Sequence, residues 1–118
     1  MVGLRQDVIL DGNELFKEFK GALTEQYVLQ QLKAIKGFNI YYWTSDRGSA
    51  EVDFVVDNGA NVVPIEVKAE VNLQAKSLKV YRDRFQPELS IRTSMADYKH
   101  EDWLLNCPLW MIEMVKYF

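Results

Sequence analysis

Apolar and polar positions change rhythm several times along the chain, and each change marks an element. From Asn13 to about Lys36 the apolar residues return at helical spacing, with Asn13 as N-cap and Gly37 as the stop. Phe38 to Thr44 is an almost unbroken apolar run of strand length, expected to be buried, and Ser45-Asp46-Arg47-Gly48 turns the chain after it. A period of two then takes over. Val52, Phe54 and Val56 alternate with Glu51, Asp53 and Val55, and Val63, Ile65 and Val67 alternate with Pro64, Glu66 and Lys68. Asp57-Asn58-Gly59 between the two runs predicts a hairpin. A two-residue loop at Asn58-Gly59 sets Asp53 opposite Pro64, whereas a loop longer by two sets Asp53 opposite Glu66. Either register puts Asp53, Glu66 and Lys68 on one face and the bulk of the apolar side chains on the other.

Helical spacing returns from Leu73 to Phe85, with Leu78, Tyr81 and Phe85 on one side and Pro87 closing the element. Leu89 to Thr93 reads as a fourth strand, Ala96 to Asp102 as a polar loop and Trp103 to Leu105 as a short strand or turn. Pro108 is expected to open a terminal helix over Leu109 to Tyr117. Residues 1–12 give little structural signal and read as a tail or the remnant of an upstream region. The expected fold is α/β, a mixed four-stranded sheet flanked by helices in the order αβββαβ, with a C-terminal helix.

A chain of 118 residues with 48% hydrophobic and 26% charged positions forms one globular domain, 1–118, and is not disordered. One cysteine excludes a disulfide framework, and a single histidine beside it excludes a zinc cluster or a Cys/His dyad. With no signal peptide and no apolar run near the length that spans a bilayer, a cytoplasmic protein without a membrane partner is expected. The net charge of −3 argues against a strong sequence-independent grip on nucleic acid. Locally, however, Lys76, Lys79, Arg82 and Arg84 face only Asp83, which would suit a phosphate track as well as an ordinary charged helix surface.

Two residues in the hairpin and one in the first helix change the picture further. Carboxylates facing one another across strands repel, so Asp53 and Glu66 on one face invite a divalent cation; Mg²⁺ takes one or two carboxylates and keeps several waters. Lys68 would stand beside it. Glu25 is the anomaly of the first helix, because Gly21, Ala22, Val28, Leu29 and Leu32 surround it on the apolar stripe. The same residues also fit a solvated hairpin face and a carboxylate at the stripe's margin, and Glu18-Phe19-Lys20 shows that Glu-x-Lys alone is common.

Taken in order, Glu25 on a helix, Asp53 on the second strand and Glu66-Val67-Lys68 on the third resemble the PD-(D/E)XK nuclease superfamily, the restriction-endonuclease-like fold. Val52 stands where that family's motif has proline. The runs Leu15 to Glu25, Ala50 to Phe54, Pro64 to Ala69 and Leu105 to Leu109 also look like the domain of unknown function that follows an AAA-type ATPase module in bacterial and archaeal proteins. The resemblance implies Mg²⁺ or Mn²⁺ held by Asp53, Glu66 and the Val67 carbonyl, with Glu25 as an outer ligand. It gives Lys68 the attacking water and Ser77 and Lys79 a weaker part in substrate binding. It further implies DNA phosphodiesters as substrate, branched DNA included, and a homodimer as the natural form. The competing expectations are a catalytically silent module that binds or regulates an AAA-type ATPase in cis or in trans, and a structural calcium-like site.

Overall fold

The computed structural model describes residues 13–69 and 76–117. The expected tail at 1–12 and the expected helix start at Leu73 lie outside them. Helix α1 (Asn13–Lys33) is followed by strands β1 (Asn39–Thr44), β2 (Glu51–Asp57) and β3 (Val62–Lys68). Then come helix α2 (Lys76–Phe85), strands β4 (Ser90–Ser94), β5 (Lys99–Glu101) and β6 (Leu104–Pro108), and a 3-10 helix (Leu109–Tyr117). Among the described residues the protein is α/β, with one mixed six-stranded sheet in the order β1-β2-β3-β4-β6-β5 and helices on both faces.

This sheet is two strands wider than the sequence predicts. The expected loop from Ala96 to Asp102 contains β5, and Pro108 ends β6 instead of opening a helix. β6 inserts between β4 and β5, parallel to the first and antiparallel to the second. The turn of the closing segment is 3-10, tighter than the α-helix expected. α1 ends at Lys33, and Gly37, at φ +85°, makes the left-handed turn that leads into β1.

The hairpin adopts the longer of its two candidate loops. β2 and β3 pair antiparallel through Phe54↔Ile65, Val55↔Pro64, Val56↔Val63 and Asp57↔Val62. Asp57 Oδ1 accepts the Gly59 N–H at 2.8 Å, and Asn58 Oδ1 accepts those of Ala60 and Asn61 at 2.9 and 2.8 Å. These side-chain turns occupy the backbone donors of 59–61 and favour a four-residue loop over a two-residue one. Gly59 sits at φ +91°, where a side chain would be strained.

Two apolar clusters sandwich the sheet. Val28 and Leu32 of α1, four apart and fully buried, meet Val56, Val63, Ile65, Val67, Ile91, Leu105 and Cys107 from the strands, with Ile112 and Val115 of the 3-10 helix beside them. The other face is smaller: Leu78 and Tyr81 of α2 pack on Val52 and Val55, with Trp43, Trp103 and Leu104 at the margin. Burial raises the thiol of Cys107 to about 11. β1 departs from the buried strand expected. It is one of the two edge strands, and Tyr42 is 80% exposed.

Candidate functional site

Period-two alternation fails inside β2, and that failure builds the site. β1 runs two residues from Tyr41 to Trp43 while its partners on β2 run three, from Val55 to Val52. The extra residue makes a β-bulge at Asp53-Phe54. It breaks the expected segregation of faces: Val52 and Val55 both turn to the α2 side, whereas Phe54 and Val56 join the α1 cluster. A bulge commonly re-aims a side chain in this way. Here the Asp53 carboxylate comes within hydrogen-bonding reach of the Glu25 carboxyl on α1.

The β2–β3 ladder stops at Phe54↔Ile65. One step further on, where Asp53 and Glu66 would face each other, the backbone N–H of Val67 donates to Asp53 Oδ2 at 2.8 Å. The side chain thus replaces a strand as partner, and a gap opens between β2 and β3 at the level of the acids. Glu66 is buried, at 6% exposure, and its Oε1 lies 3.6 Å from Lys68 Nζ. Its other oxygen, Oε2, is buried with no hydrogen-bond partner.

Electrostatics follow from crowding. Desolvation, then repulsion from Asp53, the hydrogen bond to Asp53 and repulsion from Glu51 raise the Glu25 carboxyl to about 7. Glu25 is nonetheless largely exposed as a residue, so water screens much of this effect. Burial also raises Asp53, against the opposing pull of the Val67 N–H, the Glu25 hydrogen bond and Lys68. Burial raises Glu66 as well, with Lys68 acting the other way.

Glu25, Asp53, Glu66 and Lys68 thus come together as expected from the sequence. Ser77 and Lys79 do not join them. Ser77 Oγ accepts the Glu51 N–H at 3.2 Å, tying α2 to β2, and Lys79 is exposed on α2. The basic stretch of α2 is partly committed too: Arg84 lies 3.7 Å from Asp46, and Arg82 stacks over Trp103. Arg92 and Asn106 are not marked by the sequence pattern. They stand in register with Glu66 on β4 and β6, and Arg92 Nε donates to Asn106 Oδ1 at 3.0 Å. A lone arginine between Ile91 and Thr93, in an otherwise uncharged strand, is the available signal.

Among the described residues no three His, Cys, Asp or Glu side chains are arranged as a ready cage for a metal ion. An exposed, largely apolar groove of about 390 Å³ is lined by Leu23, Tyr27, Met95, Leu109 and Trp110. Trp110 is 57% exposed there. Among the described residues no helix is long and apolar enough to cross a membrane.

A family model described as a domain of unknown function, DUF4143, matches residues 20–112. No curated protein matches the chain.

Proposed function

We infer that the chain, which belongs to the DUF4143 family, is a restriction-endonuclease-like nuclease domain that hydrolyses DNA phosphodiesters with Mg²⁺ or Mn²⁺. The observation that carries the reading is the orphaned Oε2 of Glu66, buried near Asp53 with its other oxygen beside Lys68. An unpartnered buried carboxylate oxygen costs stability unless something binds it. A hard divalent cation fits that donor set, because magnesium sites use one or two carboxylates with waters and substrate phosphate in place of a closed protein cage.

Asp53 and Glu66 would hold the ion, with the Val67 carbonyl, and Glu25 would serve as an outer ligand. Bound there, the ion would supply Lewis-acid polarisation of a phosphoryl oxygen and a more acidic water. The side chains do the rest. Lys68, held 3.6 Å from Glu66, would orient the attacking water with its ammonium and offset the charge on the phosphoryl oxygens. Glu25 lends or takes a proton beside Asp53. The Val67 N–H holds Asp53 Oδ2, so that the carboxylate has one fixed orientation.

Cleavage of plasmid, single-stranded and four-way-junction DNA in Mg²⁺ or Mn²⁺ tests the reading. Activity in the wild-type chain that disappears in both Asp53→Ala and Lys68→Ala supports it; absence of cleavage and of metal uptake by calorimetry overturns it. The exposed apolar groove at Trp110 favours a second reading, a catalytically silent module docking on an AAA-type ATPase. In that case Asp53→Ala leaves function intact and Trp110→Ser abolishes ATPase binding.

A further inference from the structure

We propose that Arg92, held by Asn106, is a substrate-binding residue that takes a phosphate of the nucleic-acid backbone beside the carboxylates. The inference rests on the nuclease reading of the same site. β3, β4 and β6 are parallel neighbours, and Glu66, Arg92 and Asn106 lie in register across them. Residues in register point to one face, so the guanidinium and Glu66 stand side by side with Lys68 two residues further along β3.

Asn106 is 2% exposed, and each of its hydrogen-bonding positions is used. Its Oδ1 accepts from Arg92 Nε at 3.0 Å and from Ser94 Oγ at 2.8 Å. Its Nδ2 donates to the Ala96 and Asp97 carbonyls at 3.1 and 2.9 Å. A buried amide engaged on every side is rigid. It fixes the orientation of the guanidinium plane through Nε, which a mere counter-ion to Glu66 would not need.

A polyanion needs such a residue here. Glu25, Glu51, Asp53 and Glu66 gather at the site, and the ammonium of Lys68 is already paired with Glu66. A planar guanidinium matches two phosphate oxygens at once, whereas an ammonium offers a point charge. Arg92 also lies near Glu66 and Glu101, which feel its charge from either side. The competing role is therefore structural, as the cation that balances those two acids.

Salt dependence separates the roles. Each phosphate contact contributes about 0.7 to the slope of log affinity against log salt for a single strand. Binding of a fluorescent single-stranded oligonucleotide is measured by anisotropy in Ca²⁺ across a salt series, with thermal unfolding of each variant as control. Arg92→Gln should bind about tenfold more weakly and lose about 0.7 of the slope; Arg92→Lys should keep the slope but not the full affinity. A wild-type slope in Arg92→Gln overturns the proposal. Should Arg92→Gln not fold, Arg92→Lys decides: wild-type affinity in that variant overturns the proposal, and reduced affinity at an unchanged slope supports it. If the wild-type chain neither binds nor cleaves DNA, the nuclease reading and this inference fall together. If it does both and the Arg92 variants match it, only the inference falls.

Discussion

The backbone N–H of Val67 donates to the carboxylate of Asp53 where β2 and β3 cease to pair. One side chain thus satisfies a buried donor that a strand would otherwise satisfy, and it does so while repelled by its carboxylate neighbours. Asp53→Asn keeps an acceptor and removes the charge; Asp53→Ala leaves the N–H without a partner, at a cost of about 1–3 kcal/mol. Urea unfolding at pH 8 should find the asparagine variant at least as stable as wild type and the alanine variant about 1–2 kcal/mol below it. Equal midpoints for the two variants would show that the hydrogen bond adds nothing.

Acid should stabilise the site. With the Glu25 carboxyl raised from its ordinary 4.5 to about 7, the folded chain holds a proton that the unfolded chain has already released. The associated stability is complete below about 4.5 and is lost as pH rises through about 7. Asp53 and Glu66, also raised, act in the same direction. Glu25→Gln should therefore flatten the fall in Tm between pH 5 and pH 8. Parallel curves for variant and wild type would mean that Glu25 titrates alike in both states.

Divalent cations should raise the melting temperature, because an ion that binds only the folded chain stabilises it by mass action, about 2.7 kcal/mol at a hundredfold excess over Kd. The shift in Mg²⁺ or Mn²⁺ is expected to vanish in Glu66→Gln, which keeps the shape of the side chain but not its charge. A large shift in Ca²⁺ without DNA cleavage in Mg²⁺ or Mn²⁺ would instead identify a structural calcium-like site.

Asn106 should be costly to replace. Asn106→Leu strips partners from Arg92 Nε, Ser94 Oγ and the carbonyls of Ala96 and Asp97. A loss of about 2–4 kcal/mol in urea unfolding is expected, larger than that of Arg92→Gln. A loss below about 1 kcal/mol would show that water takes over these bonds.

How much of this could be read in advance depended on whether the information was local. The hairpin, its longer loop as one of two candidates, and the helical character of α1 and α2 follow from spacing along the chain, and so does the placing of Glu66 and Lys68 on one face of β3. β5 carries Lys99, His100 and Glu101, with no apolar residue to announce it, and β6 ends in a proline. Both strands exist because distant segments pair, β6 with β4 above all. The bulge at Asp53 is likewise set by the register between β1 and β2, which no periodicity within β2 can express. β1 reads as buried in the sequence because an apolar run looks the same on an edge as in the middle of a sheet. Asn106 is hidden for a similar reason: its four partners all lie between Arg92 and Asp97, and only the pairing of β6 with β4 brings it to them.

Cys107 has a practical consequence. It is the one cysteine of the chain, and it sits fully enclosed on β6 with its thiol raised to about 11. A thiol reagent in solution should find nothing to modify until β6 parts from the core. The labelling rate then becomes a stopwatch on that opening, in a protein that needs no introduced probe. Read with and without a divalent cation, it would tell whether ions gathered at the hairpin tighten β6, two strands from β3 in the same sheet.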